Sequence, residues 1–165
     1  MKHIATLCLS FLTSGYLLAQ VLPAPPQVWL NTCMPTSTTT ITICASGCDC
    51  TNVQLQQAFN NALPGTTIKL ESGHTYIGPY TLPMKSGNEW IIVRTNIPDS
   101  QMPDEDHRID PSFAPLLAKI QGLPFQSALV FATGAHHYRV MDLEFNTQDH
   151  VYDIIVAGTG TETSA

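Results

Sequence analysis

Apolar residues recur with helical spacing in one stretch of this chain and with strand-like spacing in most of the residues C-terminal to it. Leu55, Ala58, Phe59 and Ala62 fall at i, i+3, i+4 and i+7, which is one stripe of an amphipathic helix. Thr51 with Gln54 reads as a capping box, and Leu63-Pro64-Gly65 as a stop, so the pattern predicts a helix over 51–63. A helix striped in this way must lie on something apolar. Short strand patterns separated by turn residues come next. Thr67 to Glu71 alternates, with Ile68 and Leu70 inward. Tyr76-Ile77 and Tyr80 to Leu82 are brief pieces parted by Gly78-Pro79. Trp90 to Arg94 and Ser127 to Phe131 are apolar on both faces. Tyr138 to Phe145 is longer, with a bend expected at Asp142, and Tyr152 to Val156 is the last. Runs apolar on both faces suit a buried parallel sheet.

Two stretches break the series. Residues 96–126 are rich in Pro and acidic side chains and read as a surface excursion between strands. Within it, Asp110-Pro111 reads as the N-cap and first position of a short helix carrying Phe113, Leu116 and Leu117. Residues 20–50 read as a linker, marked by Pro23, Pro25 and Pro26, and a Cys-rich β element. There Val28-Trp29-Leu30 and Ile41-Thr42-Ile43 form a hairpin-like pair.

Composition narrows the class. Of 165 residues 44% are hydrophobic and only 12% are charged, against an average near ~25% charged for soluble globular chains. Lys and Arg number 7 against 13 Asp and Glu, with a net charge of −6. No basic cluster is present, which argues against nucleic acid as a partner. Residues 1–19 have the basic start, apolar stretch and small residue of a secretory signal, and are too short and too polar for a stable membrane span; a retained anchor helix is the alternative. The expected location is secreted, periplasmic or cell-surface. Export and an even count then make Cys33, Cys44, Cys48 and Cys50 structural disulfides, with the connectivity open, although Cys48–Cys50 would be strained. A metal knot is the alternative, and against it stands the absence of a His nearby.

Chemistry-bearing residues are sparse. His136-His137 are adjacent, and adjacent strand residues point to opposite faces, so a rung-edge structural role is expected. Asp142 and Glu144 read as solvated edge charges. Asp104, Glu105, Asp106 and Asp110 offer oxygens to Ca²⁺ but lack an EF-hand pattern, and read as a solvated acidic loop. Arg94 and Arg139 lie inside strands without an evident carboxylate cluster beside them. There is no phosphate loop, nucleophile elbow or Walker pattern. No catalytic residue and no cofactor is assigned, and whether a metal binds stays unknown.

Ile68 and Ile91, and Val130 and Ile154, recur at a spacing of about two dozen residues, as in a solenoid. The run Leu55-Gln-Gln-Ala-Phe-Asn-Asn-Ala-Leu-Pro-Gly-Thr-Thr-Ile-Lys-Leu-Glu-Ser-Gly-His-Thr-Tyr76 resembles the start of secreted right-handed parallel β-helix proteins of the pectate-lyase-like superfamily. Gly134-Ala-His-His-Tyr-Arg-Val-Met-Asp-Leu-Glu-Phe145 looks like one of their rungs, with Asp142 where that family often has Gly. The resemblance spans about residues 28–157. It implies an all-β fold: a right-handed parallel β-helix with an N-terminal capping α-helix at 51–63 and first rungs over 64–165. The expected chain is truncated at its C-terminus, since relatives continue for more rungs. The resemblance further implies the N-terminal part of a polysaccharide lyase or glycosidase, with polysaccharide as partner and Ca²⁺ as a family cofactor. Without a recognisable active site here, this chain alone is expected to be inactive. The alternative is a non-catalytic surface or carbohydrate-binding β-helix, or an inactive fragment.

Overall fold

The strands that the alternation marks out assemble into three parallel sheets. The structure, a computed structural model, describes residues 34–44, 52–103 and 107–158, with Asn52 and Val53 as backbone only. All of these fall in one compact unit, Met34–Ala165. In chain order the elements are β1 (Thr39–Ile43), α1 (Asn52–Asn61), β2 (Thr66–Leu70), β3 (Thr75–Ile77), β4 (Tyr80–Leu82), β5 (Ile91–Thr95), β6 (Ala118–Gly122), β7 (Leu129–Phe131), β8 (Tyr138–Val140), β9 (Leu143–Thr147) and β10 (Ile155–Ala157). One sheet runs β1-β2-β5-β8, the second β3-β6-β9 and the third β4-β7-β10. From β2 onward each successive strand joins the next sheet in a fixed cycle, and every pair is parallel. That cyclic order is compatible with a β-helix or related solenoid.

The register fixes which side chains stack. Ile41, Ile68, Val93 and Val140 form one inward aliphatic row, and Tyr76, Ile120 and Phe145 a second. The expected Ile68–Ile91 correspondence is corrected, since Ile68 pairs with Val93 and Ile91 with Tyr138. Val130 likewise pairs with Val156, not with Ile154. Turn lengths differ between coils, so equal sequence spacing is not equal register.

Helix α1 does what its stripe requires. Leu55, Ala58, Phe59 and Ala62 are all buried in the common core, and the helix packs against β1, β3 and β4. Strands β3 and β4 are the edges of their sheets, and an edge strand carries unpaired backbone groups. Gln56 answers this at β4: its amide Nε2 donates to the Thr81 carbonyl and its Oε1 accepts from the Thr81 N–H, both at 2.8 Å. One side-chain amide thus stands in for a neighbouring strand. Thr51 of the expected capping box lies outside the described residues.

Residues 96–126 are not only a surface excursion. They contain β6, a full strand of the second sheet, with Ala118 and Ile120 wholly buried. The Pro- and Asp-rich approach hid a strand only five residues long. The expected helix shrinks to a 3-10 turn, Pro111–Phe113, whose first N–H, that of Ser112, donates to the Asp110 side chain. Leu117 is buried beside β6 and not part of a helix. The bend at Asp142 is present, with φ 52°, and separates β8 from β9. Strand β1 pairs in parallel with β2; its expected hairpin partner at 28–30 lies outside the described residues, as do the 1–19 signal, the linker, Cys33, Cys48, Cys50 and Asp104 to Asp106. No helix among the described residues is long and apolar enough to cross a membrane.

Candidate functional site

Two corners of the coil gather polar side chains. The first lies after the β1-β2-β5-β8 sheet. Arg94 points outward near the end of β5, where its Nη2 lies 2.6 Å from Asp99 Oδ1 and 2.9 Å from Asp142 Oδ2. The expectation that no carboxylates accompany this arginine is therefore corrected: the excursion returns Asp99 to it, and the next coil brings Asp142. Asp142 is not a solvated edge charge either, because its side chain is only 12% exposed. Burial raises its carboxyl above the ordinary range, outweighing the opposing pull of Arg94. Glu144 meets Lys119 at 2.5 Å on the outward face of β9 and β6. Underneath, the buried Thr95 hydroxyl accepts from the Ala118 N–H at 2.9 Å and donates to the Asp142 carbonyl. The charges here answer one another, which describes a structural corner.

The second corner precedes the same sheet. The parallel ladder runs on past the strand ends: Thr38 N–H donates to Gly65 O at 2.9 Å, Gly65 N–H to Trp90 O at 3.2 Å, and Ile91 N–H to His137 O at 2.8 Å. Thr38, Gly65, Trp90 and His137 therefore form one row, a residue from each of four neighbouring segments. Gly65 sits at φ 82°, and a Cβ there would lie 2.7 Å from Glu89 Oε2 and 3.0 Å from Thr38 Oγ1. The row thus needs a residue without a side chain at that place. Beside it opens a cleft of about 310 Å³ lined by Pro35, Thr36, Thr38, Asn88, Glu89 and Trp90, at the lower end of the ~300–1,000 Å³ usual for small-molecule sites.

Trp90 is the largest group of this corner and is 38% exposed. It lies just outside β5 and not within it as expected. The His137 ring meets it edge-on at 5.2 Å, and the Arg139 guanidinium stands 5.5 Å from its centre. His136 and His137 do not point apart. His137 is in a turn at φ 56°, before β8 begins, and the two Nδ1 atoms lie 2.6 Å from each other. The alternation rule fails because it applies to extended backbone, which this turn is not.

The structure therefore brings together His136, His137 and Arg139 among the residues singled out from sequence, and separately Arg94 with Asp142. Asp110 serves only its 3-10 turn. Trp90, Glu89, Asn88 and Gly65 are site residues that sequence reasoning passes over. The available signal is a tryptophan directly after the polar turn Ser86-Gly-Asn-Glu89, an arrangement that exposes an aromatic ring. Hydroxyls, an amide and a carboxylate around an exposed indole can hydrogen-bond a polyhydroxylated ligand and stack against its apolar face.

No protein-family model matches this sequence, and no curated protein matches it. Among solved structures the chain is similar to an alginate lyase from Paenibacillus sp. str. FPU-7, at 20% identity and a TM-score of 0.47, over 72% of this chain and 36% of that one.

Proposed function

We propose that this chain belongs to a secreted right-handed parallel β-helix protein, and that it binds polysaccharide at the Trp90 corner without catalysing a reaction there. The observation that carries this reading is the exposed Trp90 indole on the rim of a cleft lined by Thr36, Thr38, Asn88 and Glu89. Sugar rings offer hydroxyls around an apolar C–H face, and these groups answer both parts. Binding is preferred to catalysis because the arginine corner is internally compensated: Arg94 faces Asp99 and Asp142, and Lys119 faces Glu144.

Affinity electrophoresis through gels containing alginate, pectin or a neutral glucan tests this. At least one polysaccharide should retard the wild-type chain. Trp90→Ala should weaken that retardation about tenfold, the upper range for loss of an aromatic contact, in a chain whose far-ultraviolet circular dichroism shows the fold retained. Retardation by none of the three, or equal retardation of the variant, overturns the proposal.

A further inference from the structure

We propose that His136 and His137 form a two-nitrogen site for a divalent transition metal that prefers right-angled coordination, copper(II) above all. The observation is the convergence of their Nδ1 atoms to 2.6 Å, held by a left-handed turn at His137. Two imidazole lone pairs cannot face each other at that distance; something positive must lie between them. In the metal-free pair it is a proton, one ring donating its Nδ1–H to the other. A metal can bind the pair once that proton shifts to Nε2 of the donating ring, which leaves both Nδ1 lone pairs free and changes no net proton count; at bond lengths of ~2.0 Å it sits beside the line joining the two nitrogens, and the rings turn toward it.

The spacing selects among metals. With metal–nitrogen bonds of ~2.0 Å, a tetrahedral ion holds two nitrogens about 3.3 Å apart, and a square-planar or tetragonal ion about 2.8 Å apart. The pair needs to open by roughly 0.2 Å for the second and roughly 0.7 Å for the first, so the strain favours copper(II) or nickel(II) over zinc. The affinity order of divalent metals puts copper above nickel. His136 is exposed, so its ring can make the small adjustment. No group of three or more His, Cys, Asp or Glu side chains is gathered among the described residues, so water fills the remaining positions. Arg139, held over Trp90, places a positive charge on the Trp90 side of His137. Both facts point to micromolar binding and not the tighter affinity of a closed site.

The test is calorimetry and electron paramagnetic resonance of the full chain with copper(II), in a His3→Ala background that removes the amino-terminal copper site of Met1-Lys2-His3 and serves as the reference for every variant. One equivalent should bind, with an axial spectrum showing two nitrogen ligands. His136→Ala should reduce the affinity at least tenfold, and His137→Asn, which tolerates the left-handed backbone, should do the same. His150 beside Asp149 is a competing imidazole–carboxylate pair, and His150→Ala should leave binding intact. Absence of saturable binding to the His3→Ala reference, undiminished binding by His136→Ala, or loss in His150→Ala overturns the proposal.

Discussion

Replacing Thr95 by valine removes two hydrogen bonds without changing the side chain's shape. Thr95 is wholly buried at the end of β5, stacked after Leu70 in the row that begins at Ile43. Its hydroxyl receives the Ala118 N–H and donates to the Asp142 carbonyl. It therefore ties the corner of one coil to the start of β6 and to the corner of the next coil. In Thr95→Val both backbone groups lose that partner. Each buried group left unpaired costs about 1–3 kcal/mol, a total of about 2–6 kcal/mol for the two. The extra methyl carbon offsets about 1 kcal/mol, which leaves a loss of roughly 2–4 kcal/mol as the central expectation. At ~2–4 °C per kcal/mol for a chain of this size, the melting temperature should fall by about 5–15 °C. Thr95→Ser keeps the hydroxyl and loses only a methyl, a cost of about 1 kcal/mol. Urea and thermal unfolding of both variants make the comparison. Valine is the better hydrophobe and serine the worse, so a packing role for Thr95 predicts the opposite order. A valine variant as stable as the serine variant would refute the reasoning.

Two further perturbations test other parts of the structure. Phe59 is fully buried in α1 and meets the Tyr80 ring edge-on at 6.0 Å; Phe59→Ala should cost about 3–5 kcal/mol in a thermal melt, and an unchanged melting temperature would remove α1 as the cover of the core. The Asp142 carboxyl is raised above its ordinary 3.8 by burial, so the folded chain holds that proton more tightly than the unfolded one, and this group's contribution to stability falls as pH rises from 3.8 through the folded value. Asp142→Asn fits the same φ of 52° and abolishes that titration, so the stability of wild type minus variant, measured by urea unfolding at several pH values, should shrink with rising pH in that window; a difference that grows would show that Arg94 dominates instead.

Local pattern alone determined a great deal of this protein. The stripe Leu55, Ala58, Phe59 and Ala62 specified both the helix and its buried face, because helical spacing is a property of neighbouring residues. The apolar runs at 91–93 and 129–131 announced parallel strands; the first is buried on both faces, while in the second only Leu129 is buried and Val130 and Phe131 are half-buried. The bend at Asp142 and the capping role of Asp110 came from short-range chemistry. Strand β6 was not legible: Ala118-Lys-Ile-Gln-Gly122 alternates as β2 does, but it comes after an irregular Pro- and Asp-rich stretch that reads as one surface excursion. Register was not legible either: turns of unequal length decide that Ile68 meets Val93, and no local rule supplies a turn's length in space. The site depended most on tertiary structure. Thr38, Gly65, Trp90 and His137 lie far apart in sequence and share one row only because each coil returns the chain beside the last. Arg94 found Asp142 in the same way. The His136–His137 contact, though sequence-adjacent, depended on a left-handed turn that alternation could not foresee. Sequence sets what each segment can form; the stacking of coils, which is long-range, decides which side chains meet.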